Sequence, residues 1–277
     1  MSERPAGEPG RFAGKVVVVT GAARGQGSAE CVRFAEEGAD IIALDICAKV
    51  PTTAYAGSTP AELAETADKV RKLGRRVVAT TVDIRDLDAL QGAVDAGVAE
   101  LGRLDVVVAN AGITSYGRLW ELTPEQFRDV VDVNLTGTWH TVKATVPTLI
   151  DQGRGGSIII TSSTAGMRGF PFLGHYAATK HALVGMAKAL ANELVEYGVR
   201  VISIHPGGVR SGMNAAGSGF ADLVAAHPVP GSIFSAGYAP EMCEPEDVAA
   251  LVAFLASDEA RPMTGSQIPV DFGALAR

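Results

Sequence analysis

Lys15-Val16-Val17-Val18-Val19-Thr20-Gly21-Ala22-Ala23-Arg24-Gly25-Gln26-Gly27 is the stretch on which the fold turns. Four valines in a row, closed by a threonine, read as a strand buried on both faces, because apolar side chains occupy successive rather than alternate positions. The glycines that follow, spaced G-x-x-x-G-x-G, turn the backbone sharply into a helix. Glycine lets the main chain approach a pyrophosphate closely, and free N–H groups at a helix N-terminus face its negative charge. Gly21, Ala23, Arg24, Gly25, Gln26 and Gly27 are therefore candidate cofactor contacts. The spacing is not G-x-G-x-x-G, and a plain glycine turn is the competing reading. The strand before it, the helix after it and an acid at the next strand's tip weigh against that alternative.

That acid is Asp45, 18 residues after Gly27. A carboxylate there can accept from adenosine ribose hydroxyls and repel a 2′-phosphate, which favours NAD over NADP. Arg24 is a counter-signal, since a cation in the loop could meet that phosphate; Asp45 followed by Ile46 rather than a second Arg keeps the reading at NAD. Asp83, with Ile84 after it, ends a third strand and either meets the adenine or caps the next helix. Asn110-Ala111-Gly112 ends a fourth, where small residues let a flat cofactor lie against the backbone.

Outward from these, short β-branched runs alternate with helical patterns almost to the C-terminus. The runs are 15–20, 40–45, 76–81, 104–109, 157–162, 199–205 and 267–271; the helices are expected near 24–38, 60–74, 86–102, 124–152, 175–197 and 245–257. Such alternation implies an α/β fold: one Rossmann-like, doubly wound parallel sheet with helices on both faces, forming a single domain over residues 14–277. Residues 1–13, rich in Pro and Gly, read as a flexible tail. Residues 46–59 look like an extra loop near the cofactor, and 207–240, with seven glycines and scattered large apolar groups, like a lid over a substrate.

Composition narrows the function. The chain has 277 residues, 47% hydrophobic, with net charge −7 and no basic block, which argues against nucleic acid or an anionic membrane as partner. No stretch approaches the ~20 apolar residues of a membrane span. Cys31, Cys47 and Cys243 are dispersed, as reduced thiols in a cytoplasm would be. The five histidines show no H-x-x-x-H, so no metal site is expected. Glycine is the excess, 32 of 277 against roughly 7% in average usage.

The catalytic signal is Tyr176-Ala-Ala-Thr-Lys180. Spacing i, i+4 puts phenol and ammonium on one helix face, and a cation beside a phenol favours the phenolate. Tyr176 could then serve as general base toward an alcohol. An exposed Tyr and Lys on an amphipathic helix is the bland alternative, but of the five tyrosines only Tyr176 has Lys or Arg at +4. Ser163, 13 residues earlier and just past a strand's carboxyl end, could orient a carbonyl or alcohol oxygen, or simply make a turn. His175, beside Tyr176, reads as a cap or a solvated residue, with lining the pocket as the alternative, and Tyr116 and Trp120 as walls of a substrate site or packing beneath it.

In this order and spacing Thr20–Gly27, Asn110–Gly112, Ser163 and Tyr176/Lys180 resemble the short-chain dehydrogenase/reductase family over about residues 14–273. The resemblance implies hydride transfer between a nicotinamide and a hydroxyl or carbonyl carbon. By that likeness Asn134 would be the fourth catalytic residue, helping to hold a water in a proton relay from Lys180, and Lys180 would also bind the nicotinamide ribose. Pro206-Gly207-Gly208-Val209-Arg210-Ser211 resembles the family's segment beside the nicotinamide, with Val209 backbone groups on the carboxamide and Ser211 where threonine is common. Helices 125–151 and 176–197 would be subunit contacts of a homotetramer.

A narrower likeness, on Gly21–Gly27, Asp45-Ile-Cys47 and the 46–59 insertion, is to the mycofactocin-coupled, carveol dehydrogenase-like subgroup. It implies an insertion that covers NAD, a cofactor reoxidised in place by a dedicated redox partner, and a small hydrophobic secondary alcohol, a terpenoid such as carveol, as substrate. The competing functions are an NADPH-dependent 3-ketoacyl-carrier reductase, which Asp45 opposes, and a non-catalytic NAD-binding sensor, which the complete set of Asn134, Ser163, Tyr176 and Lys180 opposes.

Overall fold

The valine run becomes β1 (Val16–Thr20), buried at all five positions. The other runs form β2 (Asp40–Asp45), β3 (Val77–Thr81), β4 (Val106–Ala109), β5 (Gly156–Thr161), β6 (Val199–Pro206) and β7 (Gln267–Val270). The computed structural model describes residues 10–214, 219–235 and 242–276. The strands make one sheet in the order β3-β2-β1-β4-β5-β6-β7, parallel at every pairing.

Buried side chains alternate between two cores, one on each face. Val17, Val19, Ile41, Val108, Ile159 and Ile202 pack on one face against Phe34, Leu63, Val248 and Val252. Val16, Val18, Ile42, Leu44, Val107 and Ile158 pack on the other against Leu90, Val94, Leu149 and Leu183. The first set of partners comes from helices α1 (Gly25–Glu36), α2 (Pro60–Lys72) and α9 (Pro245–Ala256), the second from α3 (Leu87–Leu101), α5 (Gly137–Gln152) and α6 (Gly174–Glu193). A sheet covered on both faces is why its strands read as unbroken apolar runs. The order reverses between β1 and β4, and a crevice opens there at the carboxyl ends of the strands.

Local chemistry sets the helix starts. Thr59 and Glu62 cap α2 reciprocally with Pro60 at its first position, and Thr123 with Gln126 does the same for α4 (Pro124–Val131). Asp86 caps α3 through Ala89 N at 3.0 Å, so capping is not the role of Asp83. The single helix expected over 124–152 is instead α4 and α5 joined by a π-helical turn at Asp132–Thr136. The turn holds Asn134, whose carboxamide is drawn out of the helix by bonds to the chain after β4.

Residues 10–13 are not tail. Phe12 is fully buried, edge-on to Phe34 with ring centroids 4.8 Å apart, and Arg11 Nη2 donates to Glu37 Oε1 at 2.6 Å. The Pro- and Gly-rich composition hid one aromatic large enough to be worth ~2 kcal/mol when buried. The rest of the expected tail, residues 1–9, lies outside the described residues.

The 207–240 segment is not continuous loop either. It contains short helices α7 (Phe220–Ala226) and α8 (Pro228–Gly231), with Gly219 at φ +76° ahead of α7. Its remaining parts, 215–218 and 236–240 with Tyr238, lie outside the described residues.

Candidate active site

The crevice between β1 and β4 is lined first by the glycine turn. Gly21 and Gly25 sit at φ +71° and +55°, where a side chain would strain the backbone. A Cβ on Gly27 would lie 2.1 Å from the Gly21 carbonyl oxygen, so the turn closes only with glycine there. Arg24 occupies the cap position of α1 without a side-chain acceptor, and the first-turn N–H groups keep their donor capacity toward the crevice. Thr20 Oγ1 accepts from Asn110 N at 3.1 Å and Ala111 N at 3.2 Å, and Asn110 Nδ2 donates to Thr20 O at 3.0 Å. These bonds lock the two strand ends together at the switch point.

Asp45 is almost fully buried at the tip of β2. Its Oδ2 accepts from Ala23 N at 2.9 Å, and its Oδ1 from Cys47 N at 2.8 Å and Ser58 Oγ at 2.5 Å. A carboxylate has about four acceptor sites. Three of them here fasten the glycine turn and the insertion, and the Cys47 thiol also bonds this carboxylate. Asp83 lines the same cavity and is gripped by Arg85, with Nη2 at 2.6 Å from Oδ2; that guanidinium holds its carboxyl below the usual range despite burial.

At the other end Lys180 Nζ donates to the Thr161 carbonyl at 2.7 Å and lies 5.4 Å from the Tyr176 ring centroid. Burial drives the phenol up to about 12, opposed by the Ser163 hydroxyl, and drives the ammonium down to about 7. Desolvation therefore outweighs the lowering of the phenol expected from Lys180. A Cβ on Gly112 would crowd Asn134 Oδ1 at 3.3 Å and meet Lys180 Nζ at an ordinary contact distance of 3.5 Å. Asn134 is fully buried; its Oδ1 accepts from Ile113 N at 2.8 Å and its Nδ2 donates to Ile113 O at 2.9 Å. It thus props the chain after Gly112 and does not itself reach the cavity wall.

Most of the residues singled out from sequence meet in this one cavity: Gly21, Arg24, Gly25, Gln26, Asp45, Ile46, Asp83, Ile84, Asn110, Ala111, Gly112, Ser163, Tyr176, Lys180, Pro206, Gly207, Val209 and Ser211 all line it. Ala23, Gly27 and Asn134 stand behind the wall.

The sequence places residues 46–59 near the cofactor, but not the particular side chains and contacts that follow. The insertion supplies Val50, Thr53, Tyr55, Gly57 and Ser58 to the cavity, and Tyr55 Oη accepts from Thr114 N at 3.1 Å. Arg24 Nη2 donates to Ala56 O at 2.5 Å and Thr52 Oγ1 to Asp129 Oδ2 at 2.7 Å, so the middle of the loop is tied to the glycine turn and to α4. His205 is buried and held neutral by desolvation; its Nδ1 bonds the Ser163 carbonyl at 2.8 Å and its Nε2 pairs with Ser203 at 3.0 Å, fixing the serine backbone. His175 is neither cap nor solvated. It is fully buried, bonded through Nε2 to Ser115 Oγ at 2.8 Å, and burial lowers it to about 4.

The described part of residues 207–240 packs on aromatic rings. Phe220 lies 4.7 Å from Tyr116 and 4.9 Å from Phe234, and Phe234 stacks on Phe170 at 5.5 Å. Tyr116 Oη donates to Met213 O at 3.1 Å. Trp120 neither walls the site nor packs beneath it; it is 77% exposed under Arg118.

The family whose sequence model matches the chain is described as short chain dehydrogenase, over residues 15–219. An uncharacterised NAD-dependent oxidoreductase of Mycobacterium tuberculosis is 49% identical over 271 residues, 96% of this chain and 98% of that one. The (-)-trans-carveol dehydrogenase of Rhodococcus erythropolis is 40% identical over 282 residues, 95% and 98% of the two chains. The crystal structure of a short chain dehydrogenase from Mycobacterium paratuberculosis bound to NAD superposes with a TM-score of 0.94 at 48% identity, covering 97% of this chain and all of that one.

Proposed function

The chain belongs to the short chain dehydrogenase family, and from that premise we propose that it is an NAD-dependent oxidoreductase interconverting a small hydrophobic secondary alcohol, a terpenoid such as carveol, and its ketone. The observation that carries the reading is the single cavity running from the glycine turn and Asp45 to Ser163, Tyr176 and Lys180.

The residues present fit NAD. The turn at Gly21 and Gly27 is one that a Cβ would crowd, and Asp45 lines the same cavity at the tip of β2. In this reading Gly21, Gly25 and Gln26 hold the pyrophosphate, Lys180 the nicotinamide ribose, and the Val209 backbone with Ser211 the carboxamide. The chemistry NAD supplies when bound is hydride acceptance at a cationic ring.

The chain's own groups move the proton. Tyr176 takes it from the substrate hydroxyl, while Ser163 donates to the same oxygen. A positive charge beside Tyr176, on Lys180 or brought with the ring, opposes the upward push of burial. Asn134, by fixing Ile113 and Gly112, keeps the backbone beside Lys180 open for proton exchange with solvent. Preorganised donors around the developing alkoxide supply much of the rate.

The aromatic packing of Tyr116, Phe170, Phe220 and Phe234 supports an apolar substrate under residues 207–240 acting as a lid. The ties of residues 46–59 support membership of the mycofactocin-coupled subgroup, with NAD retained under the loop and reoxidised by a redox partner. Phe127 and Trp139, half-exposed on α4 and α5, support assembly as a homotetramer, and three free thiols support a cytoplasmic site. Among the described residues no helix is long and apolar enough to cross a membrane.

The test is to denature the purified protein and identify the released nucleotide, then assay the native preparation with an alcohol panel, using an artificial electron acceptor against added NAD. Released NAD, and turnover that needs the acceptor, is the expected result. A nucleotide-free protein that oxidises none of the alcohols with either acceptor contradicts the reading.

A further inference from the structure

The insertion brings a second phenol to the catalytic end. Tyr55 shares the cavity wall with Ser163, Tyr176 and Lys180. Its oxygen accepts from Thr114 N at 3.1 Å, and no described residue accepts its hydroxyl proton. Burial raises its pKa, so it stays a neutral donor throughout the physiological range.

Thr114 and Ser115 lead from Tyr55 back to the catalytic helix. Thr114 Oγ1 donates to Ser115 O at 3.1 Å, and Ser115 Oγ meets His175 Nε2 at 2.8 Å, one residue before Tyr176. Tyr55 also lies close enough to Tyr176 and Tyr116 to disfavour charge on either phenol. Three of the chain's five tyrosines thus gather around the reaction centre, from three different segments.

We propose that Tyr55 is a specificity-determining residue, whose phenol roofs the reaction centre and donates a hydrogen bond to the oxygen of the bound alcohol or ketone. A loop that crosses the nucleotide end of the cavity then also forms one wall of the substrate site. The inference rests on the alcohol–ketone reading for its substrate class and on Tyr55's own geometry for its residue.

The experiment compares wild type with Tyr55→Phe, which keeps the ring and loses the hydroxyl, and with Tyr55→His, which restores an N–H donor. Three quantities are read: KM and kcat for the best alcohol of the panel, retention of the nucleotide through gel filtration, and calorimetric binding of cyclohexanone to the NAD-loaded protein. Loss of one neutral hydrogen bond corresponds to about three- to tenfold in affinity. Tyr55→Phe should raise the cyclohexanone Kd by that factor and lower kcat/KM for the alcohol by at least as much, because the substrate oxygen gathers charge as it reacts, with nucleotide retained, and Tyr55→His should recover part of it. Unchanged kcat/KM and Kd, or a change seen only together with loss of nucleotide, overturns the proposal. If the wild type oxidises no alcohol, the alcohol reading fails by itself and calorimetry still decides: wild type and Tyr55→Phe responding alike, including no response from either, counts against Tyr55.

Discussion

The ammonium nitrogen of Lys180 lies 5.4 Å from the centre of the Tyr176 ring, one helical turn away and inside the fold. In water each group would titrate by itself. Here burial pushes the phenol up to about 12 and the ammonium down to about 7, while a proton on Lys180 would favour a negative charge on Tyr176.

With the Tyr176 phenolate as the proposed base, kcat/KM for alcohol oxidation should rise with pH from neutrality. Lys180→Met removes the cationic partner and should lower kcat/KM by roughly 10²-fold or more at pH 7, with a smaller deficit at high pH as the phenol ionises unaided. A pH–rate profile parallel to that of the wild type would remove Lys180 from the proton transfer.

Glu30 makes a second pH prediction, about stability. It is wholly buried in α1 with no hydrogen-bond partner for either oxygen among the described residues, and desolvation raises it from 4.5 to about 8. Between those values the folded chain holds a proton that the unfolded chain has released, so this group's contribution to stability falls as pH rises through the window. Glu30→Gln should therefore raise Tm more at pH 8 than at pH 5, the stability gain at the alkaline end being on the order of a few kcal/mol. Equal Tm gains at both pH values would show that Glu30 is ionised or solvated in the fold.

Gly27 tests the cradle. Its missing Cβ would stand 2.1 Å from the Gly21 oxygen, and backbone cannot yield cheaply. Gly27→Ala should cost about 1–3 kcal/mol and release the nucleotide, read as a lower Tm and an empty protein after gel filtration. A variant with normal Tm and full nucleotide content would mean the turn does not close as described.

Ser58 tests the cover. Its hydroxyl donates to Asp45 at 2.5 Å, joining the insertion to the tip of β2. Ser58→Ala should speed nucleotide release by about three- to tenfold, the worth of one hydrogen bond, measured as the decay of bound-NADH fluorescence on dilution. An unchanged rate would leave the insertion without a role in retention.

Much of this was legible in the chain because the signals are local. Unbroken apolar runs such as Val16–Val19 mark two-sided burial, and the glycine turn and the Tyr176–Lys180 spacing are short-range patterns. What escaped depends on contacts across the sequence. Phe12 looked like tail until its site beside Phe34, on α1, existed. Asn134 reads as an ordinary helical residue, since nothing nearby announces a π turn or the Ile113 backbone 21 positions away. Tyr55 meets Thr114 across 59 residues; an aromatic in a loop carries no mark of what it will face. Likewise His205 and Ser163 are brought together only by the pairing of β5 with β6.

The central claim is that Tyr176 passes the substrate's proton while a nucleotide in this cavity takes its hydride. The most direct measurement is a single turnover: the NAD-loaded protein is mixed with a secondary alcohol and the near-ultraviolet absorbance of reduced nicotinamide is followed. The wild type should show a burst of one equivalent per occupied site, and Tyr176→Phe, with the same nucleotide content, should show it slowed by about 10³-fold or more. A burst of undiminished rate in Tyr176→Phe, or none in the loaded wild type with any alcohol of the panel, would contradict the account.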